Sequence, residues 1–147
     1  MTTALPATAT AARLAPLAPV IDVVGARIGY DKRTVCEDVT LTVPTGGYTV
    51  IIGPNACGKS TLLRSIARIL PHQTGSIALE GEDITSIPTK KLATRLGLLP
   101  QSSLSPDGIR VADLVARGRY PHQGVFDRWS ATDEQVVLDA MAATGVT

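Results

Sequence analysis

The sequence predicts an α/β fold with an antiparallel β region at its N-terminal side, and three observations predict it. Short β-rich stretches at Val20–Ile28, Val39–Val43 and Tyr48–Ile52 come first. The run Thr49-Val50-Ile51-Ile52 then leads through a glycine-containing loop into the amphipathic segment Lys59–Leu70. Beyond it, strand-like and helix-like stretches alternate.

The chain has 147 residues, of which 44% are hydrophobic and 18% charged, a globular composition long enough for one domain. A net charge of +1 argues against general nucleic-acid affinity and against electrostatic attachment to acidic lipid. No apolar run approaches the roughly 20 residues that a membrane-spanning helix needs. The segment 1–19, MTTALPATATAARLAPLAP, lacks the charged start and unbroken apolar stretch of a signal peptide, and is expected to be a disordered tail before a domain at 20–147. Cys36 and Cys57 form no CxxC pair and no metal set, which suits a reducing cytoplasm.

Each element has its own signal. Pro44, Gly46 and Gly47 mark a tight turn after Val39–Val43. Successive apolar positions at 49–52 predict a strand covered on both faces. Within Lys59–Leu70, Leu62, Leu63, Ile66, Ala67, Ile69 and Leu70 form the apolar side, with Arg64, Ser65 and Arg68 opposite and Pro71 ending the helix. Gly75–Glu80 is a predicted strand followed by a turn at Gly81. Thr89–Arg95 is a short helix, Leu96–Leu99 a brief strand stopped by Pro100, and Arg110–Arg117 another helix. Ala131–Ala143 is the last helix, with Ser130 and Asp133 at capping-box spacing. No internal repeat is present.

The chemistry-bearing motif is Gly53-Pro54-Asn55-Ala56-Cys57-Gly58-Lys59-Ser60-Thr61, which fits GxxxxGK followed by Ser or Thr between a strand and a helix. Glycines let the backbone bend around a polyphosphate with N–H groups pointing inward, and the helix N-terminus adds partial positive charge. Lys59 can reach terminal phosphates, the Ser60 hydroxyl can ligate Mg²⁺, and Thr61 can bond an inner phosphate. Cys57 reads as a small residue tolerated in the loop, with a redox role as the alternative. Two more positions matter: Tyr30, at the end of the first strand, and Gln101, just past Leu98-Leu99-Pro100. Residue chemistry alone leaves Tyr30 a strand-end tyrosine and Gln101 a surface loop residue.

From Tyr30 onward the chain resembles an ABC-transporter nucleotide-binding domain. That resemblance implies a P-loop NTPase core, an N-terminal antiparallel β subdomain, and the beginning of an ABC-type helical subdomain. It implies that Tyr30 stacks on adenine and that Gln101 touches Mg²⁺ and the attacking water, reporting nucleotide state to membrane subunits. GPNACGKSTLLR, LATRLGLLPQ and VADLVARGRYPHQGVFDRW are similar to iron–siderophore importer ATPases, most distinctively Arg117–Gly124. The implied partners are integral-membrane permease subunits, a second ATP-binding subunit and, indirectly, a periplasmic or lipoprotein siderophore-binding protein, with no nucleic acid. The implied location is peripheral, on the cytoplasmic face of the membrane.

Three family motifs have no counterpart in the 147 residues: an LSGGQ-type signature, a Walker B strand ending Asp-Glu, and a switch histidine. Leu104-Ser105-Pro106-Asp107-Gly108 starts like the signature but diverges at once. Val136-Val137-Leu138-Asp139 imitates Walker B inside a helical pattern, with Ala140 where the glutamate belongs. His72 and His122 lie upstream of the expected switch position. The expectation is a domain incomplete at its C-terminus, inactive alone as an ATPase, poorly stable, and with an uncovered apolar edge beside the phosphate-loop strand. Alternatives are a nucleotide-binding remnant without catalysis, a heme or cobalamin uptake ATPase, and, more distantly, a small-molecule kinase. A GTPase would need an Asn-Lys-x-Asp motif, and Asn55 is followed by Ala56.

Overall fold

A computed structural model describes residues 19–31, 33–101, 108–124 and 127–146. Of the tail expected at 1–19, residues 1–18 lie outside the described residues, while Pro19 belongs to a strand. Strands β1 (Pro19–Tyr30) and β2 (Arg33–Pro44) form a long antiparallel hairpin. β2 begins well before Val39 because pairing runs to the hairpin tip, where Tyr30 faces Arg33. The other edge of β1 pairs antiparallel with β3 (His72–Leu79), which turns back onto the short β4 (Glu82–Asp83). Sheet order is β2-β1-β3-β4. Glu80 (φ 51°) and Gly81 (φ 80°) make the β3–β4 turn, both left-handed as a two-residue type I′ hairpin requires.

Strict alternation along β1 would bury positions 23, 25 and 27. Instead Val23, Ala26 and Ile28 are fully buried. Both ladders shift register around Gly25, which takes φ 57°, and the bulge moves the inward face by one residue. Gly75 lies so close that a Cβ there would sit 2.4 Å from the Gly25 carbonyl oxygen.

Helix α1 (Lys59–Ile66) lies against this sheet and is shorter than Lys59–Leu70. Its end is a Schellman motif rather than Pro71: Ile69 N–H donates to Arg64 O at 2.9 Å and Arg68 N–H to Ser65 O at 2.9 Å. Arg68 occupies the left-handed position (φ 55°), and its guanidinium donates to the carbonyls of Ile84 and Ile87 and to Thr89 Oγ1. The buried stripe of α1 is Thr61, Leu62, Ser65 and Ile66. Ser65 therefore faces inward and Leu63 outward, the reverse of the sequence expectation. Leu62, Ile66, Ile28, Ile77, Ile84 and Leu92 join in one apolar core.

Residues 48–52 and 96–99 take no regular secondary structure and have no strand partner among the described residues, so neither expected strand forms. Thr49 and Ile51 turn toward Leu41, Ile66 and Leu96, whereas Val50 and Ile52 are 78% and 88% exposed. The segment expected to be covered on both faces packs against the core through Ile51 alone, and that residue is only half-buried. An extended segment becomes a strand only when a neighbour completes its hydrogen-bond ladder.

Three further helices follow: α2 (Thr89–Ala93), α3 (Val111–Ala116) and α4 (Ala131–Ala143). α3 runs directly into a 3₁₀ turn at Arg117–His122. The expected capping box on α4 is present in both directions between Ser130 and Asp133, and Gly145 (φ 69°) ends the helix. Among the described residues, no helix is long and apolar enough to cross a membrane.

Candidate functional site

The loop 53–58 connects residues 48–52 to α1, with Ala56 (φ 64°) and Gly58 (φ 98°) in left-handed conformations. Gly58 is the N-cap of α1; no side chain caps the helix and its first turn holds no acidic residue. The leading N–H groups are thus open to an anion, with the helix dipole favouring negative charge. Gly58 is required sterically as well: a Cβ there would stand 2.6 Å from Cys36 Sγ, whose thiol donates to Gly58 O at 3.6 Å. A Cβ on Gly53 would stand 2.9 Å from Cys57 Sγ.

The Lys59 side chain folds back over the loop. Its Nζ donates to Gly53 O at 2.9 Å, to Pro54 O at 2.6 Å and to Cys57 Sγ at 3.5 Å. A cleft of about 250 Å³ opens beside it, lined by Val35, Asn55, Ala56, Gly58, Lys59, Ser60, Thr61 and Gln101. Gln101, distant in sequence, thus borders the same space as Ser60. Gly53, Pro54 and Cys57 form the loop behind Lys59 rather than the cleft wall.

Tyr30 lies outside that lining, at the end of β1, and the residue is 41% exposed. Its hydroxyl oxygen accepts from Arg64 Nη1 at 3.2 Å. The Arg64 hydrogen bond and then the neighbouring Thr61 hydroxyl hold the phenol below the usual tyrosine range. Burial of Cys36, with a smaller effect of the nearby Cys57, pushes its thiol up. Arg64, on the side of the helix that the sequence sets opposite its apolar positions, touches Tyr30 and borders a recess with Ser60, Leu98, Leu99 and Gln101. Its spacing of three residues from Thr61 was the available signal.

The donor set suits a hard cation only in combination with an anion. Ser60 and Gln101 offer neutral oxygens at one cleft, and no cluster of three His, Cys, Asp or Glu among the described residues could hold a metal ion unaided.

The two imitation motifs separate clearly. Val136–Asp139 is helical within α4, where Asp139 accepts from Gln135 at 2.8 Å. Leu104-Ser105-Pro106-Asp107 lies outside the described residues. In the Arg117–Gly124 stretch, Arg119 is not a solvated helix end: its Nε donates to Asp133 Oδ1 at 2.8 Å. Tyr120 is exposed.

A glycine-bent loop opening an uncapped helix, with its lysine held in the bend, defines a phosphate-loop domain. The ABC transporter family model matches residues 36–146, and the chain belongs to that family. It is 51% identical over 120 residues to the ferric enterobactin transport ATP-binding protein of Escherichia coli (strain K12), covering 82% of this chain and 44% of that protein. It is 44% identical over 120 residues to the petrobactin import ATP-binding protein of Bacillus anthracis, covering 82% and 44%. A bacterial Atm1-family ABC exporter solved with ATP bound superposes with a TM-score of 0.67 at 26% identity, over 90% of this chain and 23% of that one. The chain thus spans less than half the length of the curated relatives it matches.

Proposed function

We propose that residues 20–147 are part of the ATP-binding subunit of an importer that couples ATP binding and hydrolysis to uptake of an iron–siderophore complex. The observation that carries this is the cleft shared by Lys59, Ser60, Thr61 and Gln101 at an uncapped helix start. Relatives whose names specify ferric enterobactin transport and petrobactin import favour the substrate class.

In this reading the backbone N–H groups at 56–60 and the Lys59 ammonium hold the phosphates, and Thr61 bonds an inner one. Ser60 and Gln101 hold Mg²⁺, which neutralises charge developing on the transferred phosphoryl group. Gln101 also orients the attacking water. The exposed ring of Tyr30 offers a face to adenine. Among the described residues no carboxylate lines the cleft, so none of them is placed as a general base for the water. We assign nucleotide binding, and not hydrolysis, to these 147 residues by themselves. The complete subunit would work as a dimer, bound peripherally to membrane permease subunits at the cytoplasmic face and served indirectly by a siderophore-binding protein.

The test is calorimetric titration of the chain with Mg·ATP, with Lys59→Ala alongside. Saturable binding that drops at least tenfold in Lys59→Ala supports the reading. A chain that ignores ATP, or binds it equally with and without Lys59, overturns it.

A further inference from the structure

We propose that Arg64 is a positioning residue for nucleotide recognition, acting through the Tyr30 hydroxyl to hold the aromatic ring beside the phosphate loop; this rests on the ATP-binding reading above. Tyr30 ends a strand, and 41% of it is exposed. A ring in that position would sample several rotamers, and each rotamer frozen by a ligand lowers affinity. Its hydroxyl is tied to α1 by the Arg64 Nη1 hydrogen bond at 3.2 Å, with the Thr61 side chain beside it. Arg64 is placed for this by the helix itself. Thr61 and Arg64 stand three residues apart on α1, on one side of the helix, and both act on the phenol oxygen. The same helix begins at the phosphate loop, so the tether sets the ring against the element that would hold the phosphates. Arg64 is absent from the lining of the phosphate cleft, which separates its role from that of Lys59.

The consequence is selective. Loss of Arg64 loosens the base-stacking ring and leaves the phosphate cradle intact. ATP and inorganic tripolyphosphate, each with Mg²⁺, therefore serve as the two probes, titrated into the 147-residue chain by calorimetry. Arg64→Met should weaken ATP about threefold to tenfold while tripolyphosphate binding stays within error. Tyr30→Phe, which keeps the ring and removes only the acceptor, should weaken ATP by a similar factor. The double variant should be no weaker than either single one, the signature of a shared interaction. Equal weakening of ATP and tripolyphosphate in Arg64→Met would mean direct phosphate contact and would overturn the proposal. So would a Tyr30→Phe variant that binds ATP like the parent. A parent chain that binds neither probe would refute the ATP-binding reading itself, a distinct outcome.

Discussion

Arg119 Nε and Asp133 Oδ1 lie 2.8 Å apart, joining the 3₁₀ turn after α3 to the first turn of α4. Asp133 also closes the capping box, taking the Ser130 N–H at 3.1 Å and the Ser130 hydroxyl at 2.7 Å on Oδ2. These bonds, that to the Ser130 hydroxyl foremost, hold its carboxyl far below the usual carboxylate range.

A depressed folded value means that the ionised form stabilises the fold above the unfolded value, about pH 4 for an aspartate, and that the contribution disappears as pH falls through and below that point. Asp133→Asn should lower the thermal midpoint at neutral pH by several degrees and flatten its fall on the acid side. Thermal melts followed by circular dichroism between about pH 3 and pH 7 check this, since a group without this linkage would leave the two profiles parallel.

Gly58→Ala meets two obstacles. A left-handed φ of 98° costs a side chain about 1–2 kcal/mol, and the new methyl would lie 2.6 Å from Cys36 Sγ. The variant should be less stable to urea, and adding Cys36→Ala should recover the steric part and leave the backbone part. If the double variant is no more stable than Gly58→Ala, the contact with Cys36 does not matter.

Arg68 holds a position that glycine usually fills. Arg68→Ala keeps the backbone strain and loses the guanidinium bonds to Ile84, Ile87 and Thr89. Arg68→Gly loses the same bonds but relieves the strain. Both should unfold at lower urea than the parent, with the glycine variant about 1 kcal/mol more stable than the alanine one. The reverse order would show that φ 55° is not strained here.

Ser65 is 1% exposed and its hydroxyl finds no hydrogen-bond partner among the described residues. Ser65→Ala removes an unsatisfied polar group and improves helix propensity, so it should stabilise the chain by about 0.5–1 kcal/mol. A clear loss in a urea melt would reveal a partner for that hydroxyl.

Local signals carried much of this fold. The GxxxxGK spacing, the Ser130–Asp133 cap and the Gly81 turn each depend on a few adjacent residues, and the structure has all three where the sequence puts them. Nonlocal features escaped. Val50 and Ile52 look like a buried strand because composition reports what a segment prefers, while burial depends on what lies beside it. Polarity puts Ser65 outward, whereas helix geometry groups it with Thr61, Leu62 and Ile66. Gly25 conceals a bulge that no pattern of twos would reveal. At the candidate site, the loop was legible and its nearness to Gln101 rested on resemblance. Arg64 was missed because its partner Tyr30 belongs to a different element.

The hold of the loop on Lys59 has a further consequence. An ammonium already bonded to the Gly53 and Pro54 carbonyls is not a free hook awaiting an anion. Any arriving group has to outcompete two neutral acceptors, and each carbonyl released must find a new donor. The affinity gained is a difference between two occupied states, so a weakly charged visitor gains little by the exchange. Only a concentrated negative charge makes it strongly favourable, and in that way the loop screens its own ligands.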